Sequence, residues 1–142
     1  MPHKIRTLQT YFEEIWIKGN LDMLPKLLSP NARTRGIMGD MPFDPDELSE
    51  LVSMAHALFR PVSVSFPVLI EQDDWLSALV EITSVAKHSN KPIQVSNQML
   101  VRFDDERMVE IHSNVDALNL FEQLGLLPDN AMAVMLGGTP LR

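Results

Sequence analysis

FDDERMVEIHSNVDALNLFEQLG, residues Phe103 to Gly125, is the stretch around which the chain is organised. It opens on an acidic turn, Asp104-Asp105-Glu106, and its pattern predicts a strand from Arg107 to Val115. Asp116 closes that strand and suits the N-cap of a short helix, Ala117 to Leu124, which Gly125 terminates. His112 and Asp116 are polar positions inside an otherwise apolar strand-to-helix passage. A chemical centre is expected there.

Upstream, the apolar period is two. Ile93, Val95, Asn97, Met99, Val101 and Phe103 form the inner face of one strand, and Leu76, Ala78, Val80 and Ile82 that of the strand before it. The turn between them falls at Ser89-Asn90-Lys91, and an earlier turn at Asp73-Asp74 leads into the Leu76 strand. Val62, Val64, Phe66, Val68 and Ile70 alternate with Ser63, Ser65, Pro67, Leu69 and Glu71, and Pro67 marks that strand as an edge or as bulged. Four strands joined by short turns imply an antiparallel meander with helices covering one face.

Before the meander the period is helical. Ile5, Leu8, Phe12 and Ile15, flanked by Tyr11 and Trp16, predict an amphipathic helix over residues 3 to 18, stopped by Gly19. Asn20 or Asp22 caps a second, short helix through Leu28, with Pro25 in or near its first turn. Residues 32 to 37 fit a strand with Arg33 and Arg35 on one face. Asp44, Pro45, Asp46 and Glu47 then start a third helix, whose stripe is Leu48, Leu51, Val52, Ala55, Leu58 and Phe59 and whose end is Pro61. After Leu127-Pro128 comes a tail, residues 129–142, too apolar for a disordered segment and expected to pack on the body or on a partner subunit.

A chain of 142 residues suits one domain. Folding at that size buries roughly 68–70% of the unfolded chain's surface. Twelve Lys and Arg against 19 Asp and Glu leave a net charge of −7, with no basic run to offset it, which disfavours nucleic acid and anionic membrane as partners. The absence of cysteine excludes disulfides, thiol nucleophiles and thiolate metal sites, and suggests a reducing, cytoplasmic setting. His3, His56 and His88 match no zinc spacing, and no glycine-rich phosphate loop is evident, so neither metal nor nucleotide cofactor is expected.

The order helix, short helix, strand, helix and four-stranded meander resembles the nuclear transport factor two-like fold, an α+β cone. Within it, YFEEIWIKGNLDMLPKLLSPNA, ALFRPVSVSF, QDDWLSALVEI, IQVSNQMLVRFDDERMVEIH and VDALNLFEQLGLLP resemble the SnoaL-like polyketide cyclases and the wider ketosteroid-isomerase-related group. The segments cover most of residues 5 to 128. In the cyclases an aspartate at the end of the last strand is the acid/base of an intramolecular aldol closure, and the resemblance carries that role to Asp116. The histidine that assists in those enzymes has no counterpart here, and many relatives have tryptophan where this chain has His112. The isomerase pattern fits Tyr11 but would need its base near Arg35 and its acid near Met99, so steroid isomerisation is not implied.

Each candidate has a plainer role beside the functional one. Asp116 is a helix cap or a proton-transfer group. His112, roughly 13 Å away along an extended strand, flanks a ligand or is satisfied by a polar neighbour. Asn97 is a structural hydrogen-bonder or a ligand-orienting amide. Arg35 and Arg33 stabilise an enolate or pair with surface acids. Tyr11, Trp16, Met54, Phe59 and Met99 line an apolar pocket or fill a core. Three functions are compatible with these residues: a cofactor-free cyclase or isomerase acting on a small hydrophobic carbonyl compound, a non-catalytic binder of such a molecule, or an interaction domain that dimerises through Trp75, Leu79 and Val85 on the outer sheet face.

Overall fold

The computed structural model describes residues 2–36 and 39–141. Helix α1 (Pro2–Thr10) continues directly into a wider π-helical segment, Tyr11–Ile17, in which Lys18 donates its amide five residues back to Glu13 at 3.0 Å. The apolar stripe works as expected, with Leu8, Phe12 and Ile15 buried together with Tyr11. Gly19 ends the helix at φ +74°, a left-handed conformation open to glycine. Neither Asn20 nor Asp22 caps the second helix; the Asn20 amide donates instead to Glu14 at 3.2 Å. A 3₁₀ turn (Leu21–Met23) and α2 (Leu24–Leu27) bring the chain to Leu28, which turns extended and starts β1 (Leu28–Gly36). Ile37, the expected last residue of that strand, lies outside the described residues.

Strand β2 (Gly39–Pro42) folds back on β1, and α3 (Pro45–Leu58) comes next, with Asp44 Oδ1 accepting from the Asp46 amide at 2.9 Å. Helix α3 stops three residues before Pro61, because Phe59 takes up extended geometry and opens β3 (Phe59–Gln72). Then come β4 (Trp75–Ala86), β5 (Pro92–Asp104), β6 (Arg107–Val115), α4 (Ala117–Gln123) and α5 (Ala131–Leu136). The sheet order is β2-β1-β6-β5-β4-β3. Strands β3 to β6 are the antiparallel meander, while β1 lies parallel to β6. Along the chain only β2 and α3 lie between β1 and the meander, and the meander's last strand returns beside β1 in the same direction.

Edge strand β3 departs from simple alternation. The pairing slips by one residue between Pro61 and Ser63 and again between Ser65 and Val68, around Pro67. Each bulge flips the strand's faces. Phe59 and Pro61, then Val64 and Phe66, then Leu69 turn toward the helices, whereas Val62, Val68 and Ile70 turn out and are exposed. On β4 and β5 no bulge intervenes, and all ten expected inner residues, Leu76 to Ile82 and Ile93 to Phe103 in steps of two, are buried.

The helices close over this inner face. Phe12 meets Phe66 edge-on at 6.2 Å between ring centroids, and His56 of α3 hydrogen-bonds the Trp16 carbonyl. Lys4, buried, pairs with Glu71 at 3.0 Å and with the Asp73 carbonyl, tying α1 to the β3–β4 turn. At the other end of the chain, Ala131 of α5 is buried, but Met132, Met135 and Leu136 are exposed.

Candidate functional site

Strand β6 places its residues on two faces, and those faces separate the candidates. A bulge opposite Arg102 and Phe103 puts both Met108 and Ile111 inward. From Ile111 the alternation carries Ser113 and Val115 along the same concave face. Asn97, register partner of Val115, is buried there at 8% exposure, between Val95 and Met99. Ser113 Oγ donates to Asn97 Oδ1 at 3.0 Å across the two strands. Sequence reasoning misses Ser113; its place in the series Ile111, Ser113, Val115 is the signal that points to it.

Asp116 comes directly after Val115 at the end of the strand. Its amide donates to the Ser96 carbonyl at 2.9 Å, so the backbone there is still held to β5. Its side chain is exposed, and Oδ1 caps α4 by accepting from the Asn119 amide at 3.3 Å. Helix α4 ends in a Schellman turn, with Gly125 (φ +75°) donating to Glu122 at 3.0 Å and Leu126 to Phe121 at 2.9 Å.

His112 lies on the other face. It pairs in register with Leu100, and its Nε2 is 2.6 Å from Glu110 Oε2. Arg102 Nε binds the second oxygen of the same carboxylate at 3.1 Å. The indole of Trp75 lies 6.2 Å from the His112 ring and 6.0 Å from the Arg102 guanidinium. The hydrogen bond from His112, then that from Arg102, holds the Glu110 carboxyl below the ordinary carboxylate range. Arg35 is the register neighbour of His112 on β1 and is exposed. The structure therefore brings Arg35 and His112 together, and keeps both away from Asn97.

Among the apolar candidates, Tyr11, Phe59 and Met99 are buried and Trp16 packs against the same core. Burial pushes the Tyr11 hydroxyl above its ordinary pKa, with Trp16 acting in the opposite sense. Met54, by contrast, is 63% exposed on the solvent side of α3. Two surface clefts stand apart from these residues: one of about 350 Å³ beside His3, Lys4, Asp74 and Asp105, and one of about 360 Å³ between α2 and the start of α3. Among the described residues, no three His, Asp or Glu side chains converge to hold a metal ion, and no helix is long and apolar enough to cross a membrane.

This architecture is the α+β cone of the ketosteroid isomerase-like, or nuclear transport factor two-like, proteins. No protein-family model and no curated protein matches the chain, but solved structures do. A candidate polyketide cyclase from Acidithiobacillus ferrooxidans superposes with a TM-score of 0.72 at 19% identity, covering 87% of this chain and 94% of its own. IdmH from Streptomyces antibioticus, also a candidate polyketide cyclase, gives 0.70 at 17% identity, over 86% and 98% of the two chains. A protein of ketosteroid isomerase-like fold from Catenulispora acidiphila, solved with trimethylamine, gives 0.70 at 17% identity over 91% and 97%. At such identities the likeness speaks for the fold, which carries many unrelated activities.

Proposed function

We propose that the protein is a SnoaL-like, cofactor-free acid/base enzyme that cyclises or isomerises a small hydrophobic carbonyl compound. Asp116 removes the proton on the carbon next to the carbonyl. In the cyclising case the enolate carbon attacks a second carbonyl of the same molecule, and the Asp116 carboxyl returns the proton to the new alkoxide. One observation carries this reading: Asp116 is anchored to Ser96 one residue beyond Val115, the register partner of the buried amide Asn97. Its Oδ1 caps α4, and Oδ2 has no hydrogen-bond partner among the described residues, which leaves it available to a proton. Tyr11, Trp16, Phe59, Asn97 and Met99 contribute to the binding surface in this reading. Met54, Arg35 and His112 stand outside it. The domain is taken as residues 1–142 with its core at 5–128, working in the cytoplasm; of the tail's described residues only Ala131 is buried.

The test is exchange of the α-protons of α-tetralone in D2O, monitored by NMR. The wild-type protein should accelerate exchange over buffer, and Asp116→Asn should remove about a hundredfold or more of that acceleration. Equal rates for the two proteins would eliminate the mechanism.

A second reading, a non-catalytic ligand-binding or dimeric domain, is favoured by the exposure of Asp116 and its use as a cap. The exposed Leu100, Val68 and Ile70 on the outer face, beside half-buried Trp75, Leu79 and Val85, suit a second copy of the chain. Sedimentation of the wild type and of Leu100→Lys tests it: a dimer dissociated by the substitution supports it, and a wild-type monomer at micromolar concentration rejects the dimer.

A further inference from the structure

We infer that Ser113 and Asn97 form a carbonyl-binding subsite on the concave face, in which the Ser113 hydroxyl orients the Asn97 amide so that Nδ2 donates to the oxygen of a ketone ligand. This rests on the proposed reading in one respect, that the concave face takes a carbonyl compound. It does not depend on proton transfer.

Hydrogen-bond satisfaction points to the subsite. Among the described residues the Asn97 side chain makes a single hydrogen bond, through Oδ1 to Ser113 Oγ, and none through Nδ2. Yet among the described residues no fully buried side-chain nitrogen or oxygen lacks a partner. Asn97 Nδ2 must therefore touch a space that water can reach, although the residue as a whole is only 8% exposed and lies in apolar surroundings. An amide donor that keeps some contact with solvent, on a strand face flanked by Val95 and Met99 and opposite Val115, suits fixing the orientation of an apolar ligand.

The polarity of the pair comes from counting donors and acceptors. With Ser113 donating, the hydroxyl proton and the Asn97 carbonyl oxygen are both satisfied, and only the amide hydrogens remain free. With the amide turned over, the Ser113 proton has no acceptor and Oδ1 is left unpaired as well. The first arrangement leaves fewer groups unpaired and presents a donor, which selects a ligand acceptor such as a ketone. Asn97 touches the ligand; Ser113 acts through Asn97 and is a positioning residue. Strand β1 approaches Ser113 closely at Gly36, where a Cβ would sit 3.2 Å from the Ser113 carbonyl oxygen.

The experiment compares α-tetralone with tetralin, the same skeleton without the oxygen, by NMR titration of the full chain with the Asn97 side-chain amide resonances assigned. One such hydrogen bond corresponds to tetralone binding about three- to tenfold tighter than tetralin. That preference, with a shift of the Asn97 amide protons on adding tetralone alone, is the expected result. Ser113→Ala and Asn97→Leu should bring the ratio to near one, while Ser113→Thr, which keeps the hydroxyl, and Asp116→Asn should preserve it. A wild-type ratio of one, or a ratio unchanged in Ser113→Ala, overturns the inference. So does tighter binding of α-tetralol than of α-tetralone to a variant that cannot ionise at position 116, because a hydroxyl preference belongs to the opposite amide orientation. A preserved preference with no proton exchange in any variant would remove the acid/base reading and leave the subsite standing.

Discussion

His112 and Asn97 stand on opposite faces of the same strand pair: Asn97 points to the helices with Ser113, and His112 points outward with Leu100, Trp75 and Glu110. The pleat of β6 separates the buried amide from the half-buried ring. No single small ligand on the concave face touches both.

His112→Ala should therefore leave α-tetralone exchange and the tetralone preference within about twofold of wild type. Its effect belongs on the outer face, where losing a partly exposed hydrogen bond to Glu110 lowers stability by under about 1 kcal/mol. Exchange kinetics and urea melts of the same preparation check both halves. A drop in exchange matching that of Asp116→Asn would show that the histidine reaches the chemistry.

Glu110 supplies a pH dependence. Its carboxyl is held below the ordinary carboxylate range by His112 and then Arg102, so its folded pKa is lower than its unfolded one. The stabilisation is present above the unfolded carboxylate pKa and is lost as pH falls through the folded value. Relative to wild type, Glu110→Gln should be less stable at pH 7, and the gap should close as the pH is lowered through the carboxylate range. Solvent screening keeps the gap small, under about 1 kcal/mol. Thermal melts from about pH 7 down to about pH 3 measure it, and a gap that widens on acidification would refute the assignment.

Two substitutions at one position separate capping from chemistry. Asparagine caps a helix about as well as aspartate, whereas alanine in place of a cap residue lowers stability by about 0.5–2 kcal/mol. Asp116→Asn should keep wild-type stability and lose exchange; Asp116→Ala should lose both. Denaturant unfolding of the two variants makes the comparison, and equal stability would mean that the 3.3 Å contact with Asn119 contributes nothing.

Leu76 reports on the core. It is fully buried on β4, so Leu76→Ala should lower stability by about 2–5 kcal/mol, through lost transfer energy and the cavity left behind. The same truncation at Leu100, which is 42% exposed, should stay within about 0.5 kcal/mol unless a second copy covers it. A large loss at Leu100 that grows with protein concentration would place that residue in a subunit contact.

Regular alternation made much of this molecule readable from its residues. On β4 and β5 every second side chain from Leu76 and from Ile93 is apolar apart from Asn97 and Ser84, and only one face of such a strand can be buried, so the inner residues, including Asn97, come from spacing alone. Asp44-Pro45 and Asp116 announced their helices because a side-chain oxygen before a helix satisfies an otherwise free amide, a local matter. Local chemistry does not count residues across a ladder, however. The bulges around Pro61, Pro67 and Glu110 each insert one residue, which decides whether Val68 and Ile70 face in or out and which side of β6 carries Ser113. Nor does it show which strands become neighbours: β1 reaches β6 only after some seventy intervening residues have folded, and that return sets Arg35 beside His112. The meander strands and helices α1, α3 and α4 were therefore written in the sequence, whereas β2, α5, the pairing of Ser113 with Asn97 and the separation of both from His112 came only with the tertiary structure.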